Sequence, residues 1–176
     1  MVEDYFAFYV EENRRRSGRM DLDRRRSGSR VATDGFRCVH CGAFVTREAL
    51  FSGVINRNHC PYCLWSRHVD WKQAGDRMSA CKGGMRPVGL ALKRAHKKYN
   101  PDAGELMVVH RCNECGQVSL NRIAADDAAE TLLVVYQESL AGTLSDAGVE
   151  LLTAEARDIV HRRLFGAGQP QNLPAC

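Results

Sequence analysis

Six of the eight cysteines stand as three pairs with two residues between partners: Cys38 and Cys41, Cys60 and Cys63, Cys112 and Cys115. Two intervening residues let a tight turn aim both thiolates at one ion at about 2.3 Å. Gly42 and Gly116 directly follow the second cysteine of their pairs, where such a turn calls for positive φ. Eighteen residues separate the first two pairs, a spacing suited to one four-cysteine site, and a zinc ion at Cys38, Cys41, Cys60 and Cys63 is expected. In a region with modest apolar content, that ion supplies folding energy. An iron–sulfur cluster uses the same ligand type and stays open. Three pairs without a βαβ pattern argue against dithiol redox chemistry.

A second zinc is expected at Cys81, Cys112 and Cys115, with a histidine completing the set. His68 lies in a loop-like stretch with freedom to reach, and Asp70 beside it could hold an imidazole in place. His110, two residues before Cys112, shares that residue's face on a strand but converges poorly on one ion. The reading favours His68 over His110, with His59, His96 or no second zinc left open. Cys176 is a terminal thiol outside both sets.

Catalytic motifs are scarce. There is no H-E-x-x-H, no G-x-S-x-G, no Walker loop and no H-x-E of a zinc deaminase. A zinc enzyme would need an open position at Cys81/Cys112/Cys115, with Asp70 or His59 as acid or base.

The elements that must carry these ligands can be read coarsely. Gly104 to His110 is β-prone, Gln117 to Leu120 follows the third pair, and Pro87 to Leu92 is another strand candidate. Strand, Cys-x-x-Cys turn, strand is a zinc-ribbon layout. Ala129, Leu132, Leu133, Val135, Tyr136 and Leu140 follow helical spacing. A second helix is expected from Ser145, with Val149, Leu152, Ala156, Ile159, Val160 and Leu164 on one face. The fold class expected is small α+β: a zinc-ribbon-like β domain with two zinc knuckle sites plus a C-terminal αα-hairpin. The divisions are 1–35, an acidic start and disordered Arg-rich arm; 36–124, the zinc domain; 125–165, the hairpin; and 166–176, a flexible tail.

The 176 residues carry a net charge of only +4, unevenly spread. Residues 13–30 hold eight arginines against Asp21 and Asp23. Their near-repeat, R-R-R-S-G at 14–18 and 24–28, has too little apolar surface to offset the entropy of ordering. Residues 31–118 hold thirteen bases against seven acids, whereas 119–176 hold four against eight. The basic candidates for nucleic-acid contact are Arg14, Arg15, Arg16, Arg24, Arg25, Arg26, Arg57, Arg67, Lys93, Arg94, Lys97 and Lys98. Trp65 and Trp71 sit beside cations, as base-stacking rings do, although small-domain core is the commoner role for tryptophan. No apolar run approaches the length of a membrane span. The start M-V-E-D-Y-F is unlike a signal peptide. Unpaired cysteines then suit a reducing, cytoplasmic setting.

The string Arg57-Asn58-His59-Cys60-Pro61 resembles the signature of the RNHCP domain family of small bacterial proteins. The similarity runs from about Phe36 to Asp127. It takes in Cys38, Cys41, Cys63, His68-Val69-Asp70, Gly75-Asp76-Arg77, Cys81 and His110-x-Cys112-x-x-Cys115-Gly116. The resemblance implies a zinc-ribbon-like domain and no particular reaction. The reading that joins these observations is a non-catalytic zinc module binding RNA or a ribonucleoprotein such as the ribosome. The alternatives are a protein adapter docking through 125–165 and the zinc enzyme above.

Overall fold

A computed structural model describes residues 34–94, 104–141 and 148–166. Strands β1 (Gly35–Arg37) and β2 (Phe44–Thr46) form a two-stranded antiparallel ribbon whose tip is the first Cys-x-x-Cys turn. A one-turn helix, α1 (Ala49–Ser52), follows. The second turn leads into β3 (Ser66–Arg67), the edge of a four-stranded antiparallel sheet. Strands β4 (Gly84–Arg94), β5 (Gly104–Cys112) and β6 (Val118–Arg122) complete it in sequence order. The third turn joins β5 to β6. Helix α2 (Ala129–Leu140) packs on the sheet, and a 3-10 turn (Ala154–Ala156) runs into α3 (Arg157–Phe165). No helix among the described residues is long and apolar enough to cross a membrane.

Two apolar cores result. The larger joins sheet and helices through Leu64, Leu90, Leu106, Val108, Leu132 and Tyr136, with Val160 from α3. The smaller surrounds the first four cysteines with Ala43 and Val45, flanked by Phe36, Tyr62 and Trp65. β5 is buried along most of its length, and because successive side chains point to opposite faces, the unbroken buried run from Leu106 to His110 means that both faces are covered. Pro87 has no N–H to give the β4–β5 ladder, and the register shifts between Pro87 and Gly89. A Cβ on Gly89 would come within 3.0 Å of Leu151 and 3.1 Å of Ser139, so this position lets the later chain lie close on the sheet.

The C-terminal helices differ from expectation at one end. Leu151–Thr153 is not helical. Leu152 N–H donates to Leu90 C=O at 2.8 Å, and Tyr136 Oη–H donates to Thr153 C=O at 2.7 Å. These bonds to the sheet and α2 outcompete the helical period of Val149, Leu152 and Ala156, so residues 148–153 are not helical and the 3-10 turn at Ala154 opens the helical stretch. Ser145, the arm, the tail and the tip at Lys97, Lys98 and Asn100-Pro101 lie outside the described residues, as does the side chain of Arg94.

The three cysteine turns share one backbone pattern. In each, the first cysteine's N–H donates five residues ahead: Cys38 to Ala43, Cys60 to Trp65 and Cys112 to Gln117, at 2.8–2.9 Å. The residue after the second cysteine donates back to the first: Gly42, Leu64 and Gly116, at 2.9–3.1 Å. That residue has φ of 74° at Gly42, 75° at Gly116 and 59° at Leu64. A leucine in this conformation is strained, yet its side chain is fully buried in the larger core. Packing outweighs backbone preference there. Truncating Leu64 to Ala should cost about 2–5 kcal/mol. Leu64→Gly should be about 1 kcal/mol more stable than Leu64→Ala, because glycine accepts positive φ. Paired thermal melts of the two zinc-loaded variants measure the difference, and an alanine variant equal to or better than glycine contradicts the strain argument.

Candidate metal centres

Folding brings two groups of potential ligands together, each with its donor atoms within 4.8 Å of one another: Cys38, Cys41, Cys60 and Cys63; and His68, Cys81, Cys112 and Cys115. The first gathers two turns held by the β1–β2 ribbon and the chain before β3. The second gathers the third turn, the residue directly after β3 and the loop before β4. His68 N–H donates to Gly83 C=O and Asn113 N–H to Gly84 C=O, which fastens the second group across the sheet end.

The spacings suit zinc. Sγ atoms lie 3.5 Å apart at Cys38–Cys63, 3.6 Å at Cys41–Cys60 and 3.7 Å at Cys81–Cys112. Zn–S bonds of about 2.3 Å in a tetrahedron require sulfurs about 3.8 Å apart. A disulfide needs about 2.05 Å, and all seven described cysteines are free thiols. In the first group, hydrogen bonds from Cys41, then Cys60 and Cys63, hold the Cys38 thiol far below its ordinary range. Contact with Cys38 first, then Cys41, pushes Cys60 and Cys63 far above it. Cys41 is lowered as well, so the four thiols are pushed apart in acidity, and four thiolates this close require a divalent cation. Two zinc ions account for both clusters.

The second cluster differs in exposure. The first group's cysteines are buried, whereas Cys81 and Cys115 are exposed. His68 Nδ1 lies 3.3 Å from Cys115 Sγ, and its buried Nε2 has no hydrogen-bond partner. Among the described residues the ring's one polar contact is to a cluster sulfur, so a metal bond at the cluster is what its position suits. Asp70 does not support it. Asp70 Oδ2 accepts Gly75 N–H at 2.8 Å and Oδ1 accepts Arg77 N–H at 3.1 Å, so its role is to shape the 70–78 loop. Asp76 takes the N–H groups of Trp71, Lys72, Gln73 and Met78, and these donors hold its carboxyl well below the usual range.

His110 is elsewhere and otherwise engaged. Its Nε2–H donates to Leu64 C=O at 2.6 Å, and Nδ1 accepts from Asn121 Nδ2 at 2.8 Å. Both nitrogens are satisfied only by the neutral ring. Burial, reinforced by the neighbouring His59, lowers its pKa to about 3. The unfolded ring protonates near its ordinary value of about 6.5. Below that pH the unfolded chain gains a proton the folded chain refuses, so stability from this group falls as pH drops from about 6.5 toward about 3.

Arg57 requires a correction. Expected on a nucleic-acid surface, it is 1% exposed. Nη1 meets Asp126 Oδ2 at 2.6 Å, Nη2 meets Asp127 Oδ1 at 3.1 Å, and Nε–H donates to His59 C=O at 3.2 Å. His59 Nε2 lies 2.8 Å from Asp127 Oδ2, which also accepts Ala124 N–H. A cation this deeply buried survives only fully paired. Arg57 and His59 therefore fasten the second knuckle to the chain entering α2, and His59 is not available as a metal ligand or base. The bonds cross the expected 124/125 division, joined by Ala128 N–H to Pro61 C=O. Sequence reasoning missed this network. The signal was the acid pair Asp126-Asp127 beside an otherwise unexplained arginine and histidine in one motif.

The remaining basic candidates divide. Arg67 and Lys93 are exposed. Arg14, Arg15, Arg16, Arg24, Arg25, Arg26, Lys97 and Lys98 lie outside the described residues, as does His96. Trp65 is half-buried and stacks on His40, ring centroids 4.2 Å apart and 5° from parallel. Trp71 is 59% exposed and so is not core, and Lys72 Nζ sits 4.4 Å above its ring.

Antiparallel sheets, three helices and two four-donor clusters among the described residues define a small α+β protein built around cysteine knuckles. The family model for the RNHCP domain matches residues 33–133, more than half of the chain. The protein belongs to the RNHCP domain family. Comparisons with curated proteins and with solved structures find no match.

Two outcomes check this site. His68→Ala should lower zinc content from about two ions per chain to about one, His68→Cys should restore it, and His110→Gln should leave it unchanged. Elemental analysis after gel filtration measures the count, and a zinc loss confined to the His110 variant reverses the assignment. In an NMR titration of the zinc-loaded protein, the His110 ring should stay neutral with its proton on Nε2 down to about pH 5. Protonation of that ring near pH 6.5 would contradict the burial argument.

Proposed function

We propose that this protein is a non-catalytic, zinc-scaffolded module that binds RNA or a ribonucleoprotein. One observation carries the reading: exposed Arg67, Trp71, Lys72 and Lys82 and half-buried Trp65 and Arg77 share one span of eighteen residues. Rings beside cations on a rigid support suit stacking with bases and contact with phosphates. The loop bearing Trp71 is pre-shaped by Asp70 and Asp76, so little ordering entropy opposes binding. The Arg-rich segment at 13–30 adds charge suited to phosphate neutralisation.

The two other readings have less support. Each cluster already offers four protein donors, the closed arrangement of structural zinc. An adapter docking through 125–165 would need a free apolar face, but Leu132, Val135, Tyr136 and Val160 are buried in the shared core. A zinc-ribbon-like unit in a reducing, cytoplasmic setting accommodates the RNA reading without further parts.

The test is co-sedimentation of zinc-loaded full-length protein with ribosomes and with ribosomal RNA across a salt series. Saturable binding is expected, its logarithm falling with log salt by about 0.7 per single-strand phosphate contacted. Arg57→Met should not change that slope, since Arg57 is buried. Absence of binding at low salt would overturn the proposal.

A further inference from the structure

A cleft of about 130 Å³ opens where the first ribbon meets β3. Phe36, Arg37, Arg47, Trp65, Arg67 and Arg77 line it, with the backbone of the first metal cluster at Cys38 behind them. Four arginines thus line a cleft that also has aromatic residues in its walls. Among the described residues, Asp34 lies 3.6 Å from Arg47 and Asp70 lies 3.8 Å from Arg77, and no carboxylate pairs with Arg67.

The walls are held before any ligand arrives. Arg37 Nη1–H donates to Gly42 C=O at 3.2 Å. Arg67 Nε–H donates to Lys82 C=O at 3.0 Å, and its Nη1 and Nη2 make no hydrogen bond to a described residue. The Arg47 guanidinium lies 5.4 Å above the Phe36 ring. Trp65 is fixed by its stack on His40. Asn58 lines the same cleft, and its main chain is tied down by Ser66 Oγ–H donating to Asn58 C=O at 3.1 Å.

These features describe one ligand chemistry. The space admits a single flat ring system. Apolar and aromatic walls suit its faces, an amide side chain suits a hydrogen-bonding edge, and guanidinium groups at the rim suit an attached phosphate. A duplex keeps its base faces inside the stack and cannot enter. We infer that this cleft binds one unpaired nucleotide of a single strand, the base between the Phe36 and Trp65 walls and the phosphate at Arg67 and Arg77. The inference rests on the nucleic-acid reading above and gives it a location.

Trp65 and Trp71 are the only tryptophans. In full-length zinc-loaded Trp71→Phe protein, all tryptophan emission therefore reports on the cleft. Single-stranded ribo- and deoxyribo-oligonucleotides of one sequence should each change that emission saturably, and their affinity ratio tells RNA from DNA as the source. The matching duplex should compete weakly. Arg67→Gln and Arg47→Gln should each weaken binding about tenfold. Arg86→Gln, an equal loss of charge outside the cleft, should do so less than about twofold. Zinc content of about two ions per chain certifies the fold of each variant. Strand binding with unchanged Trp65 emission and neutral Arg67→Gln would overturn the cleft assignment while leaving the RNA reading in place. No binding of any nucleic acid would overturn both. Oligoglutamate or a phosphopeptide competing as strongly as the single strand would overturn the nucleotide assignment.

Discussion

Four sulfurs held within 4.8 Å of one another in a buried space cannot all carry charge unless a divalent ion lies between them. The rest of this molecule depends on that constraint. The first cluster ties the β1–β2 ribbon to the turn at Cys60–Cys63, and that turn is shared property. Its backbone belongs to the knuckle, while Leu64 at its end reaches into the core between sheet and helices. His110, deep in β5, then donates to the Leu64 carbonyl. Metal, turn and core are joined through one residue in an unfavourable backbone conformation, and the core packing sustains it.

A second constraint reinforces the first from the opposite side. The motif Arg57-Asn58-His59-Cys60-Pro61 distributes four different tasks along five residues. Arg57 and His59 bury against Asp126 and Asp127, Asn58 faces the cleft, Cys60 joins the cluster, and Pro61 accepts from Ala128. Removing either partner of the buried pair would strand a charge, which costs roughly 3–5 kcal/mol. The helices are therefore part of the metal unit rather than an appendage to it, and the family match running to residue 133 includes the first turn of α2.

The cysteine turns were legible in the sequence because their geometry is local: two intervening residues and a following glycine are enough. Strands β4 to β6 and helix α2 were legible for the same reason, each having its own pattern. Leu64 gave no signal, since a leucine at a glycine's position looks ordinary until its burial is seen. The Arg57 network joins residues 69 and 70 positions apart, and charge counting placed that arginine on the surface. Residues 149–153 carry spacing that serves a helix or an extended segment equally, and the Leu90 carbonyl decided between them. In the sequence, His68 is favoured over His110 by chain freedom, by Asp70 beside it and by the poor convergence of an i, i+2 pair. The deciding fact, two hydrogen bonds that occupy the His110 ring, is tertiary.

The two clusters differ in one respect with a kinetic consequence. Cys81 and Cys115 face solvent, while the first cluster's cysteines do not. Exchange of a zinc-bound thiolate proceeds by attack from outside, so the accessible cluster sets the faster clock. A competing chelator or a peroxide meets that cluster first, at the end of the sheet where β3 and β4 are joined by a loop. The buried cluster and the core it shares stay whole during that encounter. The molecule thus holds one metal as architecture and another at its boundary, where the composition of the surrounding solution governs how long the ion remains.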